Sequence, residues 1–243
     1  MKEWLYGRRT VAEHLKSLPE TCERLLVAKG ARLDEAILIA AEEAGVSVEQ
    51  VERSKLDSLS AGGNHQGICL RVGGWKYADM EELTAGLFNA DGFPAIFVLD
   101  SIQDPRNLGA VIRVADGVGA AGVVIAKDRS AALSASVARS AAGALANVKV
   151  AQVVNISRTL VELKREGIFV AGTAMEGELV YSAPLTFPLA LVLGAEGKGL
   201  RPNVASKCDI LLSLPMEGGV QSLNVSVAAG VFGYESWRRF KGL

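Results

Sequence analysis

Three short stretches of this 243-residue chain place residue types that can do chemistry at the mouths of strand-to-helix turns. The first, DPRNLGAVIRVADGVG (104–119), sets Asn107 and Arg113 six residues apart in a segment otherwise rich in Gly, Ala and Val. An Asn at a helix mouth orders a loop by accepting a backbone N–H, and an Arg holds an anion or snorkels to water. The second, LGAEGKGL (193–200), gathers Gly194, Gly197 and Gly199 around the carboxylate of Glu196. Such glycines either bring backbone groups close to a ligand or simply make a tight left-handed turn with a surface Glu. The third, LPMEGGVQSLNVSVAAG (214–230), runs from Pro215 through EGG into a helix expected to start at Ser222, the N-cap, with Asn224 in its first turn. Capping explains Ser222 but not Asn224, because Asn is a mediocre helix former. Each stretch alone has a structural reading; three in one chain point to a shared site.

Several chemistries are excluded at once. His14 and His65 are the chain's two histidines, too few for a three-His metal site and poorly suited to a triad; no metal is expected. Cys22, Cys69 and Cys208 are odd in number, far apart and outside any CxxC pair, which reads as reduced core thiols in a cytoplasmic protein. GVGAAG (117–122) spells GxGxxG but follows a helix and leads into a strand, the reverse of a dinucleotide turn, so it reads as a helix stop. The GKG of the second stretch lacks the P-loop spacing and its hydroxyl. A formal charge of −1 excludes a strongly basic coat yet leaves room for local patches. Candidates are Arg8, Arg9, Arg106, Arg113, Lys198, Arg201, Arg238, Arg239 and Lys241. No apolar run reaches the ~18 residues of a membrane span, and the opening residues lack a signal-peptide core.

The elements that must position these stretches divide into an expected small α/β domain (1–74), a linker (75–93) and a larger domain (94–243). In the first, ERLLVA, VSVEQV and GICLRV read as strands among three helices. In the last, AIFVLD, GVVIA, VKVAQV, IFVAGT, LALVLG and DILLSL are continuous apolar runs alternating mostly with helices, and a final helix is expected from about Ser222 to Phe240. That pattern predicts α/β architecture with a parallel sheet covered on both faces. Ligands bind such sheets at the carboxyl ends of the strands.

Asn107-x-Gly109-x-x-x-Arg113, Gly194-x-Glu196-Gly197-x-Gly199 and Pro215-Met216 followed by Ser222-Leu223-Asn224-Val225-Ser226 resemble the three motifs of the SpoU family of RNA ribose 2′-O-methyltransferases. YGRRTVAEHL and NHQGI resemble the small RNA-binding domain that many members carry in front. The resemblance implies a carboxyl-terminal trefoil knot, a homodimer and S-adenosylmethionine as cofactor. It implies a pocket for that cofactor lined by Thr173, Gly194, Gly199, Leu214, Met216 and Leu223, and a reaction site made of Asn107, Arg113, Glu196, Ser222 and Asn224. The implied substrate is a guanosine of 23S rRNA, with tRNA or a ribosome-binding, resistance-type module as alternatives. Arg113 is expected as an electrostatic anchor rather than a base, since guanidinium stays protonated. Glu196 as base, and deprotonation assisted by a substrate phosphate, both stay open from sequence.

Overall fold

In the computed structural model, residues 3–88, 92–220 and 222–243 are described, and they form two compact units. The first unit comprises residues 1–76 and 133–146, and the second 77–132 and 147–243.

The elements of the first unit begin with β1 (Glu3–Tyr6), α1 (Arg8–Ser17), β2 (Cys22–Ala28), α2 (Glu35–Glu43), β3 (Ser47–Val51), α3 (Arg53–Leu59) and β4 (Ile68–Val72). The chain then makes α4 (Met80–Leu87), β5 (Phe93–Asp100), α5 (Pro105–Val118) and β6 (Ala120–Ala126) of the second unit. Helix α6 (Ala135–Ala141) belongs to the first unit. The remainder is β7 (Lys149–Val153), α7 (Ile156–Arg165), β8 (Phe169–Leu179), β9 (Leu189–Gly194), α8 (Pro202–Ala205), β10 (Ile210–Ser213) and α9 (Val225–Phe240).

The first unit is a four-stranded sheet in the order β1-β4-β2-β3, with one parallel pair and two antiparallel ones. The sequence reading finds three of its strands. The fourth, β1, is only four residues of EWLY at the sheet edge, too short to show a period. Helix α6 returns to this unit late in the chain. Its Ala135 joins the core of Leu5, Leu25, Leu70 and Val72, the Ala135 N–H donates to the Glu3 carboxylate, and the Arg139 guanidinium lies 4.6 Å over the Tyr6 ring.

The second unit is a six-stranded sheet, order β10-β8-β9-β5-β6-β7, in which every neighbouring pair is parallel. Its strands fall on the six apolar runs expected; β5, β6, β7 and β9 are buried along most of their length, as a doubly covered parallel sheet requires, while β8 runs on beyond its apolar start into an exposed half. Alternation along β5 assigns the faces. Ile96 and Val98 join a core with Leu83 and Leu87 of α4 and Leu160 and Leu163 of α7. Phe97 points the other way, against Gly233 of α9, where a Cβ would lie 2.8 Å from the ring.

Two sequence expectations are corrected by these contacts. The stretch expected as linker contains α4, whose two leucines are at most 2% exposed in the sheet core, so a cut at residue 93 would strip the sheet of part of one face. The final helix begins at Val225 rather than Ser222, because Asn224 is its cap. Gly119 does stop α5, in the left-handed conformation at φ 67° that a C-cap glycine adopts.

Candidate active site

From β5 the sheet grows outward in both directions: β6 and β7 follow on one side, and β9 enters on the other, beside the earlier β8. This is the reversal of strand order at which open parallel sheets bind ligands. Asp100 and Gly194 are register partners at the carboxyl ends of β5 and β9. The loops that leave them carry the first and second motifs.

The first loop turns through Ser101, whose φ of 65° is unusual for a residue with a side chain. Asp104 then caps α5, its carboxylate accepting the Arg106 N–H at 2.8 Å, and Pro105 occupies the first helical position where its missing N–H costs nothing. Asn107, expected at the helix mouth, is therefore inside the first turn, with its side chain available for something other than capping.

The second loop is a closed turn. Ala195 and Gly199 exchange backbone hydrogen bonds of 3.1 and 2.8 Å, with Gly197 at φ 73° and Gly199 at φ 64°. Gly194 is required for a reason internal to the chain. A Cβ there would lie 2.2 Å from the Gly199 carbonyl carbon and 2.3 Å from the Leu200 nitrogen. The base of the loop is pinned to Asp100, which is fully buried. Its carboxylate accepts the Arg201 backbone N–H at 2.9 Å and the Arg201 Nε at 2.7 Å, with Arg201 Nη2 at 2.6 Å. Sequence reasoning misses this pair, since the partners are 101 residues apart and neither sits in a motif.

The third loop ends in Asn224, which caps α9. Its Oδ1 accepts the Ser226 N–H at 2.9 Å and the Ser226 hydroxyl at 2.6 Å. Its Nδ2 donates to Asn107 Oδ1 at 3.1 Å and to Glu196 Oε2 at 3.3 Å. One amide thus ties the three motifs together. Asn and Ser are equivalent caps, so capping is no argument against Asn224; the cap orients the amide that bridges the other two side chains. The bridge leaves capacity unused: Asn107 Nδ2 and Glu196 Oε1 have no partner among the described residues. Nor is Glu196 held by a backbone N–H among the described residues, as a structural acid in a glycine turn would be.

Beside this cluster lies a cavity of about 630 Å³ whose lining includes Gln103, Asn107, Arg129, Glu196, Lys198 and Arg201. Of the expected site residues Gly199 also lines it, and the others lie outside that lining. Thr173 follows the last β8–β9 pair, Gly172 with Val192, and is half-buried. Leu214 and Leu223 are half-buried and Met216 is 36% exposed, in the loops that follow β10 and precede α9. Ser222 is exposed and takes no part in the cluster. Arg113 is also apart, exposed on α5 and without a hydrogen bond or ion pair among the described residues. Six residues of helix separate it from Asn107 by ~9 Å of rise.

The expected basic patches shrink once partners are counted. Arg201 is committed to Asp100, and Arg8 to Asp34 and the Arg32 carbonyl. Arg238 and Arg239 bracket Glu235, whose carboxyl they hold down at about 2, and Arg239 also donates to the Val180 and Ala183 carbonyls. No thiol is a candidate nucleophile: burial pushes Cys22 and Cys69 up to about 11 and Cys208 up to about 12. The histidines are structural, His14 against Thr21 at 2.7 Å and His65 against Asp57 at 3.0 Å. Among the described residues, no cluster could hold a metal ion and no helix is long and apolar enough to cross a membrane.

Comparison with known proteins bears on this arrangement. Residues 94–234, the span that carries all three motifs, match the SpoU rRNA Methylase family. The chain belongs to that family. Residues 4–78 match the RNA 2′-O ribose methyltransferase substrate binding family. The chain is 41% identical to the 23S rRNA (guanosine-2′-O-)-methyltransferase RlmB of Escherichia coli K12 over 246 residues, covering 98% of this chain and 99% of that protein. RlmB of Vibrio parahaemolyticus is 41% identical over 240 residues, with 98% and 97% covered. Among solved structures, the SpoU methyltransferase AviRb of Streptomyces viridochromogenes, in complex with AdoMet, superposes with a TM-score of 0.79 over 99% of this chain and 91% of that one. At 23% identity it speaks to the fold. The TrmH/SpoU tRNA modifying enzyme of A. aeolicus, 28% identical, superposes at 0.56 over 67% of this chain and 83% of its own.

Proposed function

We propose that this SpoU-family chain transfers a methyl group from S-adenosylmethionine to the ribose 2′-hydroxyl of a guanosine in 23S rRNA. The observation that carries the chemistry is the Asn224 bridge, which holds a free carboxylate oxygen and a free amide donor together at the strand-order reversal. The near full-length likeness to RlmB proteins carries the choice of substrate.

When bound, the cofactor supplies an electrophilic methyl on a sulfonium, so the protein's work is alignment and proton removal. The donor set fits it. Strand β8 and the loops after β9 and β10 offer backbone from Gly194 to Gly199 and the incompletely buried side chains of Thr173, Leu214, Met216 and Leu223, a mixed polar and apolar lining without a phosphate cradle. On the substrate side, Asn107 Nδ2 donates to the ribose. Glu196 Oε1, free of internal partners, is the acceptor this chain offers for the hydroxyl proton. On transfer of the methyl to the hydroxyl oxygen, that proton would pass to the Glu196 carboxylate. Arg113 holds the charge that develops near the oxygen and phosphate, as a fixed guanidinium cation.

The same reading includes the knot at the carboxyl end, supported by the late entry of β9 between β5 and β8. It includes a homodimer. Val227 and Tyr234, seven residues apart on one face of α9, are 52% and 50% exposed, and Arg113 on the adjacent α5 is too far along its helix to join the cluster of its own chain. A second copy completes the site in this reading. The four-stranded unit reads RNA, and the reaction takes place in the cytoplasm. The test is transfer of labelled methyl from S-adenosylmethionine to unmodified 23S rRNA. Label in rRNA is expected with the intact chain; label in tRNA instead, or none, contradicts the proposal.

A further inference from the structure

We infer that Arg129, assisted by Lys198, is an anchor for the RNA phosphodiester beside the acceptor ribose, an inference that rests on the function proposed above. Arg129 lies outside all three motifs, in the loop after β6, and sequence reading passes over it. Three cations line the cavity next to the Asn107–Glu196–Asn224 cluster: Arg129, Lys198 and Arg201. Arg201 is paired with the buried Asp100. Arg129 and Lys198 are exposed and make no hydrogen bond or ion pair among the described residues, although Asp104 and Glu196 line the same cavity. Two unspent cations lining one cavity are matched by an anion from outside.

The backbone strengthens the case. Arg129 has a φ of 61°, in the left-handed region that glycine enters freely and a long side chain does not. Its neighbour Ser130 keeps its Oγ buried with no hydrogen-bond partner. The loop is nonetheless fixed, because Ala131 N–H donates 2.8 Å to the Ile102 carbonyl of the first-motif loop. Two unfavourable features in adjacent residues, held in place by a bond to the catalytic loop, mark a segment shaped for a ligand rather than for itself. A glycine would suit the backbone better. What it would lack is the guanidinium, whose fork matches a phosphodiester and fixes register without reading the base.

The test uses the full-length chain with Arg129→Gly, which relieves the backbone, and Arg129→Lys, which keeps the charge. Affinity for an unmodified 23S rRNA transcript is read by filter retention over a salt series, and cofactor affinity by calorimetry. Arg129→Gly is expected to melt no lower than the parent, to bind the transcript about tenfold more weakly, and to lower the slope of log affinity against log salt by about one. Arg129→Lys is expected to retain most of the slope. S-adenosylmethionine should bind both variants as it binds the parent. An unchanged salt slope in Arg129→Gly overturns the inference. So does weakened cofactor binding with RNA affinity intact, which would make the anion the cofactor's carboxylate. RNA retention is measured without turnover, so a parent that binds rRNA but transfers no methyl refutes the proposed function and not this anchor.

Discussion

The two units of the chain treat their polar side chains differently. In the four-stranded unit, both histidines and Arg8 are used up on the unit's own fold, although Arg24 Nε and Trp75 Nε1 stay buried without a partner. His14 is bonded to Thr21, His65 takes Asp57 on one ring nitrogen and the Gly67 N–H on the other, and Arg8 is tied to Asp34. In the six-stranded unit both habits occur a few residues apart. Asp100 and Arg201 are paired with each other, while Asn107 and Glu196 are oriented by Asn224 and left with spare valence. Side chains that hold a fold spend their hydrogen bonds internally; those that meet a substrate are aimed and left unspent. The same contrast separates Arg201 from Arg129 and Arg113 among the cations.

The largest effect that would sharpen this contrast is at Gly194. Replacing it with Val puts side-chain atoms onto backbone that has nowhere to go, and unit two should lose more than ~3 kcal/mol, at or beyond the usual cost of overpacking. Thermal unfolding would show it. A Gly194→Val protein of parental stability would mean that the loop is looser than its geometry indicates.

Asn224→Asp comes next and separates the cap from the bridge. Aspartate still accepts the Ser226 N–H, so stability should stay within ~0.5 kcal/mol. It cannot donate to Asn107 or Glu196, and it sets a second carboxylate beside Glu196. Methyl transfer should fall about 100-fold, comparable to removing one aligned donor from a transition state. If turnover survives, Asn224 serves only as a cap and the six-stranded unit is no different from the other.

His14 tests the opposite half of the comparison. Burial holds its pKa down at about 4, below the ordinary 6.5. Between those values the unfolded chain binds a proton that the folded unit refuses, so stability present above about 6.5 is lost as the pH falls towards 4. The loss is on the order of 3 kcal/mol at acid pH. Hydrogen exchange of the α1 amides should follow that window, and His14→Gln should flatten the pH dependence. A catalytic histidine would instead move the pH profile of methyl transfer, which His14→Gln is expected to leave in place.

How much of this was legible in the sequence depends on whether the cause was local. The six parallel strands were, since each is a continuous apolar run bounded by turns, and so was the αL stop at Gly119. The edge strand EWLY was not, being too short for a period, and α6 carries nothing in LSASVARSA that says which sheet it will join. The segment around Met80–Leu87 looked like a linker because glycines flank it, while its two buried leucines declare themselves only against the sheet. At the site, the residue types were visible and their meeting was not. Asn107, Glu196 and Asn224 are brought together by strand order across 117 residues, and the Asp100–Arg201 pin by a register match at two strand ends. Ser222 took the cap in the sequence reading because Ser is a good one; the structure gives it to Asn224, which is as good and also bridges.

The central claim is that the Asn224-bridged cluster acts on a ribose hydroxyl, and the most direct measurement identifies the nucleoside produced. Unmodified 23S rRNA is incubated with the full-length chain and S-adenosylmethionine, digested to nucleosides and analysed by mass spectrometry, alongside a transcript carrying a single 2′-deoxyguanosine at the mapped position. The account predicts 2′-O-methylguanosine from the first RNA and no methylated product from the second, with binding of both retained. Methyl found on a base, or undiminished methylation of the deoxy-substituted RNA at that nucleotide, would contradict it.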